Sequence, residues 1–396
     1  MRGTVLLAVL LTACAPSLAA HREQTGVATA WVTFDAKGLR HSGADGLADR
    51  AAGRRLTIDD PARVASISKL VVALGVMRMV EADTLDLDAD VSDQLGWRLR
   101  NPAFPDTPIT LRLLLSHRSS LKDDVDYVVP LGRSLRDVLA NPAAFDATHA
   151  PGTFFRYSNL GFPVIASVME RASGERFDRL MRRLVLDPLA IDGCYGWATC
   201  SDAAIARAVV FYEPDGRVVI DDLKGTRPTC PVAYMPGAAC DLDGYVLGSN
   251  GALFSPQGGL RISARGLTAV GRLLLDDGRH AGRPFLTPDS IATLLAPVWR
   301  YDGANGASEG GFYCAYGLAS QSLPVTTPGC DDDLFGDGRA VVGHAGDAYR
   351  LRSGLWIDRR RKVGIAYFAT NNGVDPPKGR SAYRAVEERL AAHLRD

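Results

Sequence analysis

The sequence predicts an α+β fold whose sheet is drawn from both ends of the chain, with a large, mostly helical insertion between them. Three observations carry that prediction. Strand-like apolar runs occur near the N-terminus and again at 354–357 and 363–369. The stretch between 83 and about 243 reads instead as helices and long Pro/Gly loops. One helix-length run, beginning at residue 66, is apolar nearly all round, which marks a buried helix. Composition agrees with a globular chain: 396 residues, 46% hydrophobic and 23% charged, enough for one large core or two cooperating domains. Lys+Arg and Asp+Glu are both 45, so the net charge is zero and a protein built to hold nucleic acid is excluded. No apolar run approaches the ~18 residues of a membrane-spanning helix.

In chain order, residues 1–13 come first. Met1-Arg2 starts the chain with a positive charge, and 4–13 (TVLLAVLLTA) is an apolar stretch of signal-peptide length. Leu11-Thr12-Ala13-Cys14 resembles the lipobox of bacterial lipoproteins, where the chain is cut before a cysteine that then receives a diacylglycerol. Lipidation is therefore expected at Cys14, with 14–25 as a tether. Ala15 is not the aspartate linked to inner-membrane retention, so the expectation is a lipoprotein anchored in the outer membrane and facing the periplasm. An ordinary secretory signal with an incidental cysteine is the alternative reading.

Residues 26–34 (GVATAWVTF) alternate small and apolar residues as a strand, and Asp35-Ala36-Lys37-Gly38 turns into a second, more polar one. Asp59-Asp60-Pro61 breaks the chain ahead of the buried helix, 66–79 (SISKLVVALGVMRM). Helices are expected at 111–116 and 162–171 within the insertion. After Gly258-Gly259 come a helix at 263–275, the late strands, and an amphipathic helix at 381–394. The organisation expected is thus 26–82 and 255–396 as the sheet domain and 83–254 as the helical one, with an active site at their junction.

Setting Cys14 aside leaves Cys194, Cys200, Cys230, Cys240, Cys314 and Cys330. An even number in an exported chain implies three disulfides, and although six cysteines allow 15 pairings, they fall into close couples. The expected bonds are Cys194–Cys200, Cys230–Cys240 and Cys314–Cys330. No CxxC or HExxH spacing exists, so neither a metal nor another cofactor is expected.

The chemistry starts in the buried helix. Ser66-Ile67-Ser68-Lys69 is an SxxK motif whose two ends share one helical face, bringing the lysine within reach of the serine hydroxyl. Leu70, Val71 and Val72 desolvate the amine, which lowers its pKa and lets it accept the serine proton. A second SxxK, Ser119 to Lys122, lacks an apolar helix behind it. Tyr157-Ser158-Asn159 reads either as a polar loop turned toward a cleft or as a capping turn for the following helix. His344-Ala345-Gly346 follows an apolar run, and its small residues would let a substrate lie against the strand. His280-Ala281-Gly282, in a polar turn, is its decoy.

SxxK, then YSN, then H-x-G in that order resembles the serine β-lactamase and penicillin-binding protein superfamily. Within it the pattern is similar to the branch of class C β-lactamases, D-alanyl-D-alanine carboxypeptidases, D-aminopeptidases and related esterases. Arg63-Val64-Ala65, Leu113 to His117 and Gly258 to Ser263 echo the same family. The resemblance implies an antiparallel sheet flanked by helices, and acyl transfer at Ser66 on a small-molecule or peptide ester or amide. In that scheme Lys69 or Tyr157 is the general base, and the Ser66 and Asp347 backbone N–H groups hold the oxyanion. Asn159 and Gly346 contact substrate, and His344 completes the polar network. Where carboxylate-recognising relatives carry hydroxyls, this chain has Ala345 and Asp347. Asp347 repels a substrate carboxylate unless Arg350 or Arg352 compensates it or its side chain points away. Neutral esters, or amides bearing a free amine, are favoured over penicillins and D-Ala-D-Ala peptides. The alternatives are a β-lactamase or carboxypeptidase and a non-catalytic penicillin-binding-like protein. An α/β-hydrolase lacks its G-x-S-x-G.

Overall fold

The computed structural model describes residues 26–395, and the expected signal, Cys14 and tether lie outside the described residues. Strand β1 (Ala28–Asp35) buries Ala28, Ala30, Val32 and Phe34 completely and leaves most residues between them half-buried, the period of two expected of a strand. The turn after it is held by Asp35, whose Oδ1 accepts the backbone N–H groups of Lys37 and Gly38 at 2.7 and 3.0 Å. Strand β2 (Leu39–Asp45) is polar and mostly exposed, a suitable sequence for a sheet edge. The chain then passes through β3 (Ala62–Arg63) into helix α1 (Ile67–Glu81). The middle block contributes α2 (Gly161–Ser173), several helices of five residues or fewer with long loops between them, and β4 (Cys194–Tyr195). The C-terminal part runs through β5 (Leu260–Ile262), α3 (Ala264–Leu275), β6 (Trp299–Arg300), β7 (Ala315–Tyr316) and β8 (Gln321–Leu323). It ends in β9 (Val341–Ala348), β10 (Leu351–Asp358), β11 (Val363–Thr370) and α4 (Ala385–Ala391).

The main sheet has the order β6-β7-β8-β9-β10-β11-β1-β2, and every pairing is antiparallel. The two chain ends therefore meet in one sheet, with β1 laid along β11 from Ala28↔Thr370 to Asp35↔Val363. Strands β9 to β11 are buried almost throughout because helices cover both faces. One face packs Phe34, Leu355, Ile357 and Ala366 against α1 and α3; the other packs Trp356, Ile365, Tyr367 and Ala369 against α4. Helix α3 can approach the sheet because residue 271 is glycine: a Cβ there would lie 2.2 Å from Phe34 Cζ.

Two details differ from expectation. The C-terminal helix begins at Ala385 rather than at 381, and ends in a 3₁₀ turn, Ala392–Arg395. Glu388 explains the late start: its carboxylate accepts the backbone N–H groups of Arg380 and Ser381, which holds that segment outside the helix. Periodicity in 381–384 registered a face that the capping chemistry overruled. The second difference is a small sheet of order β3-β5-β4 that stitches the middle block to the segment just before α1. All three expected cysteine couples are bonded, with Cα–Cα separations of 5.0, 5.8 and 5.9 Å.

Candidate active site

Three elements converge at the N-terminus of α1. Ala65 has a φ of 49°, a left-handed conformation that a non-glycine residue adopts only under tertiary constraint, and it turns the chain sharply from β3 into the helix. Ser66 occupies the N-cap position, yet its hydroxyl makes no capping bond. A serine there ordinarily accepts an N–H of the first turn; here the Oγ is left to Lys69, whose Nζ lies 3.0 Å away. Ser68, one turn position on, satisfies local backbone groups instead, donating to Ala65 O and accepting from Leu260 N–H.

Lys69 is fully buried, although it is a lysine. Besides Ser66, its Nζ donates to Asn159 Oδ1 at 2.9 Å and to the Gln257 carbonyl at 2.8 Å. Loss of hydration drives its pKa down to about 7, with the Asp123 carboxylate pulling it partly back up. A neutral Lys69 keeps two hydrogens. The two fixed acceptors, Asn159 Oδ1 and Gln257 O, take both, which leaves the nitrogen lone pair aimed at the Ser66 hydroxyl.

The YSN segment is held by a residue that sequence reasoning missed. Asp123 accepts the Ser158 hydroxyl, the Asn159 backbone and side-chain N–H groups and the Leu160 N–H, at 2.8 to 3.0 Å. Leu160 is the N-cap of α2 and makes no side-chain capping bond, so the start of that helix is held by Asp123 rather than by the YSN side chains. Asp123 follows directly on the decoy Ser119–Lys122, whose lysine pairs with Asp124. Its only outward sign in sequence was an Asp-Asp pair.

The Tyr157 hydroxyl is buried without an aligned hydrogen-bond partner. Burial raises its phenol well above the ordinary tyrosine value, and the nearby Ser66 and Tyr313 hydroxyls draw it only part of the way back. Its ring stacks on Tyr313 at 4.6 Å, and the Lys69 ammonium sits 4.8 Å from its centre.

His344 lies one layer behind the cleft. Its ring bonds neither Ser66, Lys69 nor Tyr157; the Tyr316 hydroxyl stands 2.7 Å from its Nε2. The same hydroxyl is 3.2 Å from His117 Nε2, and His117 Nδ1 accepts the Ser158 N–H. That pattern assigns every proton: His117 Nε2–H donates to Tyr316, Tyr316 donates to His344 Nε2, and His344 Nδ1–H donates to the Ala345 carbonyl. Burial and the neighbouring Lys69 lower both imidazoles, His344 to about 3, so both stay neutral. Tyr316 was not singled out from the sequence.

Strand β9 forms the opposite wall. The Ala345 N–H points away from β10, toward the Gln321 side chain. Alternation along the strand turns the Asp347 N–H to the same side, and β8 has already ended at the Gln321↔Gly343 pair. The Asp347 amide is thereby turned off the sheet edge, and Asp347 and Ser66 both line the cleft. Gly346 lines the cleft and also serves the packing of the sheet. A Cβ there would lie 2.3 Å from Ser353 Oγ and 2.5 Å from the Val64 carbonyl, so the glycine lets β9 press against the chain preceding Ser66. The Asp347 carboxylate, 62% exposed, is ion-paired with Arg352, while Arg350 pairs with Glu213.

Ser66, Tyr157, Asn159, Asp347 and Arg63 line one cleft of about 1000 Å³ between the sheet and the middle block. Compared with known proteins, the chain matches a family model described as Beta-lactamase over residues 16–389. Esterase EstB of Burkholderia gladioli is 34% identical over 170 residues, 38% of this chain and 42% of that protein. The D-alanyl-D-alanine-carboxypeptidase/endopeptidase AmpH of Escherichia coli is 28% identical over 146 residues, 35% of this chain and 37% of that protein. Each match thus spans about two fifths of the relative's length. A class C β-lactamase from Rhodobacter sphaeroides superposes with a TM-score of 0.66 over 94% of both chains at 17% identity, a likeness of fold.

Proposed function

The chain belongs to the beta-lactamase family, and on that premise we propose that it is a serine hydrolase cleaving an ester or amide through a Ser66 acyl-enzyme. The observation that carries the reading is the Lys69 nitrogen, 3.0 Å from Ser66 Oγ and with its pKa lowered to about 7. Ser66 Oγ attacks the substrate carbonyl as its proton passes to the neutral Lys69 amine. The Ser66 and Asp347 amides stabilise the oxyanion. Tyr157, kept protonated by burial, gives its proton to the leaving group and takes back the one held by Lys69, and the same groups then activate water to release the acyl product. The raised phenol favours Lys69 over Tyr157 as the initial base. Asn159 retains one Nδ2 hydrogen for the substrate after donating the other to Asp123.

On the leaving-group side, Ala345 supplies no hydroxyl for a carboxylate. This supports carboxylesterase or D-amino-acid amidase chemistry with an uncharged or amine-bearing leaving side. A second reading, a D-Ala-D-Ala carboxypeptidase or β-lactamase, draws support from the Asp347–Arg352 pair, which offsets the repulsion otherwise expected of the aspartate. Turnover of p-nitrophenyl butyrate but not of a chromogenic cephalosporin, absent in Ser66→Ala, is the expected result; the reverse preference selects the second reading. Fluorophosphonate labelling that survives Ser66→Ala eliminates the site assignment. The same proposal takes the protein to be exported and lipidated at Cys14 in the outer membrane, in keeping with its three disulfides. Loss of labelled palmitate incorporation in Cys14→Ser tests it.

A further inference from the structure

Arg63 is a buried cation that makes no direct ion pair among the described residues. It is 9% exposed, and its Nε donates to the Gly258 carbonyl at 2.9 Å. Among the described residues its two Nη groups make no hydrogen bond and no ion pair, although Arg63 lines the cleft. The neighbouring strand deepens the imbalance. Arg63 pairs in register with Arg261, so two guanidinium groups share one end of the cleft. The buried carboxylate beside them is Asp221, and it is consumed: Arg261 takes both of its oxygens, and Trp197 Nε1 donates to Oδ1 at 2.7 Å. Burial and the adjacent Arg261 lower even this arginine, to about 10, with Tyr349 and Asp221 pulling it only partly back up. A desolvated guanidinium with free parallel donors is a fork for a planar carboxylate.

Its position assigns the side of the substrate. Strand β9 runs from His344, whose ring is 6.3 Å from that of Tyr157, past the oxyanion amide of Asp347 to Tyr349 at the hairpin tip. The Arg63 guanidinium lies on the Tyr349 ring, 4.5 Å from its centre. The leaving group departs toward Tyr157, so Arg63, stacked on Tyr349 past the Asp347 amide, stands toward the opposite, acyl end.

We propose that Arg63 anchors a carboxylate subsite at the acyl end of the cleft, so that the acyl group transferred to Ser66 carries an anion several bonds from its carbonyl. The proposal rests on the Ser66 hydrolase reading and names its substrate class: the half-ester or half-amide of a dicarboxylic acid, or an acyl group of equivalent charge. It is compatible with Ala345, which concerns the leaving side only.

The test compares p-nitrophenyl hydrogen adipate with p-nitrophenyl hexanoate, esters of equal acyl length that differ in the terminal carboxylate. The expected kcat/KM ratio favours the anionic ester by about tenfold or more, and Arg63→Gln lowers that ratio by about tenfold. Arg63→Lys, which keeps the charge but not the fork, falls between. A structural role through Gly258 alone would depress both esters alike and leave the ratio at the wild-type value, which overturns the proposal; so does a wild-type ratio of one or less. If Arg63→Gln fails to fold, Arg63→Lys and competitive inhibition of the unaltered protein by adipate but not by hexanol decide the matter. Should the protein turn over neither ester and resist fluorophosphonate, the hydrolase reading fails. Calorimetric binding of adipate, weakened in Arg63→Lys, then still judges the subsite separately.

Discussion

Lys69 and Arg63 stand six positions apart, both buried and both lacking direct ion pairing, yet they answer desolvation in opposite ways. The lysine is surrounded by acceptors at 2.8 to 3.0 Å, and its pKa drops to about 7, so at neutral pH a large fraction has given up its charge. The arginine is also depressed, to about 10, but guanidinium basicity is so high that it stays charged at any physiological pH. Burial therefore turns one cation into a base and leaves the other a fixed positive charge. Their counter-charges differ in the same sense. Asp123 reaches Lys69 only through Asn159, close enough to moderate its pKa and too far to pin its proton, whereas Asp221 gives its hydrogen bonds to Arg261 and Trp197 and acts on Arg63 only through space.

Exchanging the two chemistries gives the strongest test of that contrast. Lys69→Arg preserves charge and donors but cannot deprotonate, and ester turnover is expected to fall by about 10³-fold or more, close to the loss in Ser66→Ala. Activity within tenfold of wild type in Lys69→Arg would falsify the role of the amine as base. Next in size is Asp123→Ala. It releases the turn that carries Tyr157 and Asn159, so kcat should fall by about 10²-fold. Because Asp123 raises the Lys69 pKa, its loss should also shift the acid limb of the pH–rate profile to lower pH. A limb that moves upward contradicts the electrostatic assignment.

The wild-type pH profile sharpens the comparison more gently. With the neutral amine as base, kcat/KM for a neutral ester rises with pH through about 7 and levels off above it. That amounts to roughly a tenfold gain between about pH 6 and about pH 8. The Arg63-dependent preference for an anionic ester stays flat over the same interval, since that guanidinium does not titrate there. Smallest is Tyr316→Phe, which leaves His344 Nε2 and His117 Nε2–H unpaired behind the cleft. Urea unfolding should register a loss of ~1–3 kcal/mol, with a smaller effect on ester kcat than Asp123→Ala.

Much of the fold was legible because its signals are local. Alternation in 26–34 registers a strand covered more on one side, the continuous apolar run at 363–369 one covered on both, and an apolar surface all round 66–79 a helix with no solvent face. The late start of α4 was not legible: Glu388 accepts both the N–H and the hydroxyl of Ser381, a competition with the helix that periodicity cannot weigh. At the site, the spacing of Ser66 and Lys69 was informative because three residues make nearly one helical turn. Tyr157 and Asn159 were visible only as part of an ordered set. Asp123 was not singled out at all, since its partners are 35 to 37 residues away and its own neighbours form a decoy motif. Tyr316 was missed for a like reason, its two histidines lying 199 and 28 positions off. Arg63 registered only as a lead-in to the serine, because its isolation depends on Asp221 being claimed by Arg261.

The chain on its own determined which residues sit on one helical turn, which strand faces are apolar and which cysteines lie close enough to pair. These follow from bond geometry and a few residues of context. Tertiary structure alone decided the electrical state of those residues: that Lys69 loses its proton, that Tyr157, His117 and His344 stay neutral, and that Arg63 makes no direct ion pair among the described residues. Charge in a protein interior depends on how much water is removed and on which distant dipoles and carboxylates replace it, and neither quantity is defined until the chain has closed on itself.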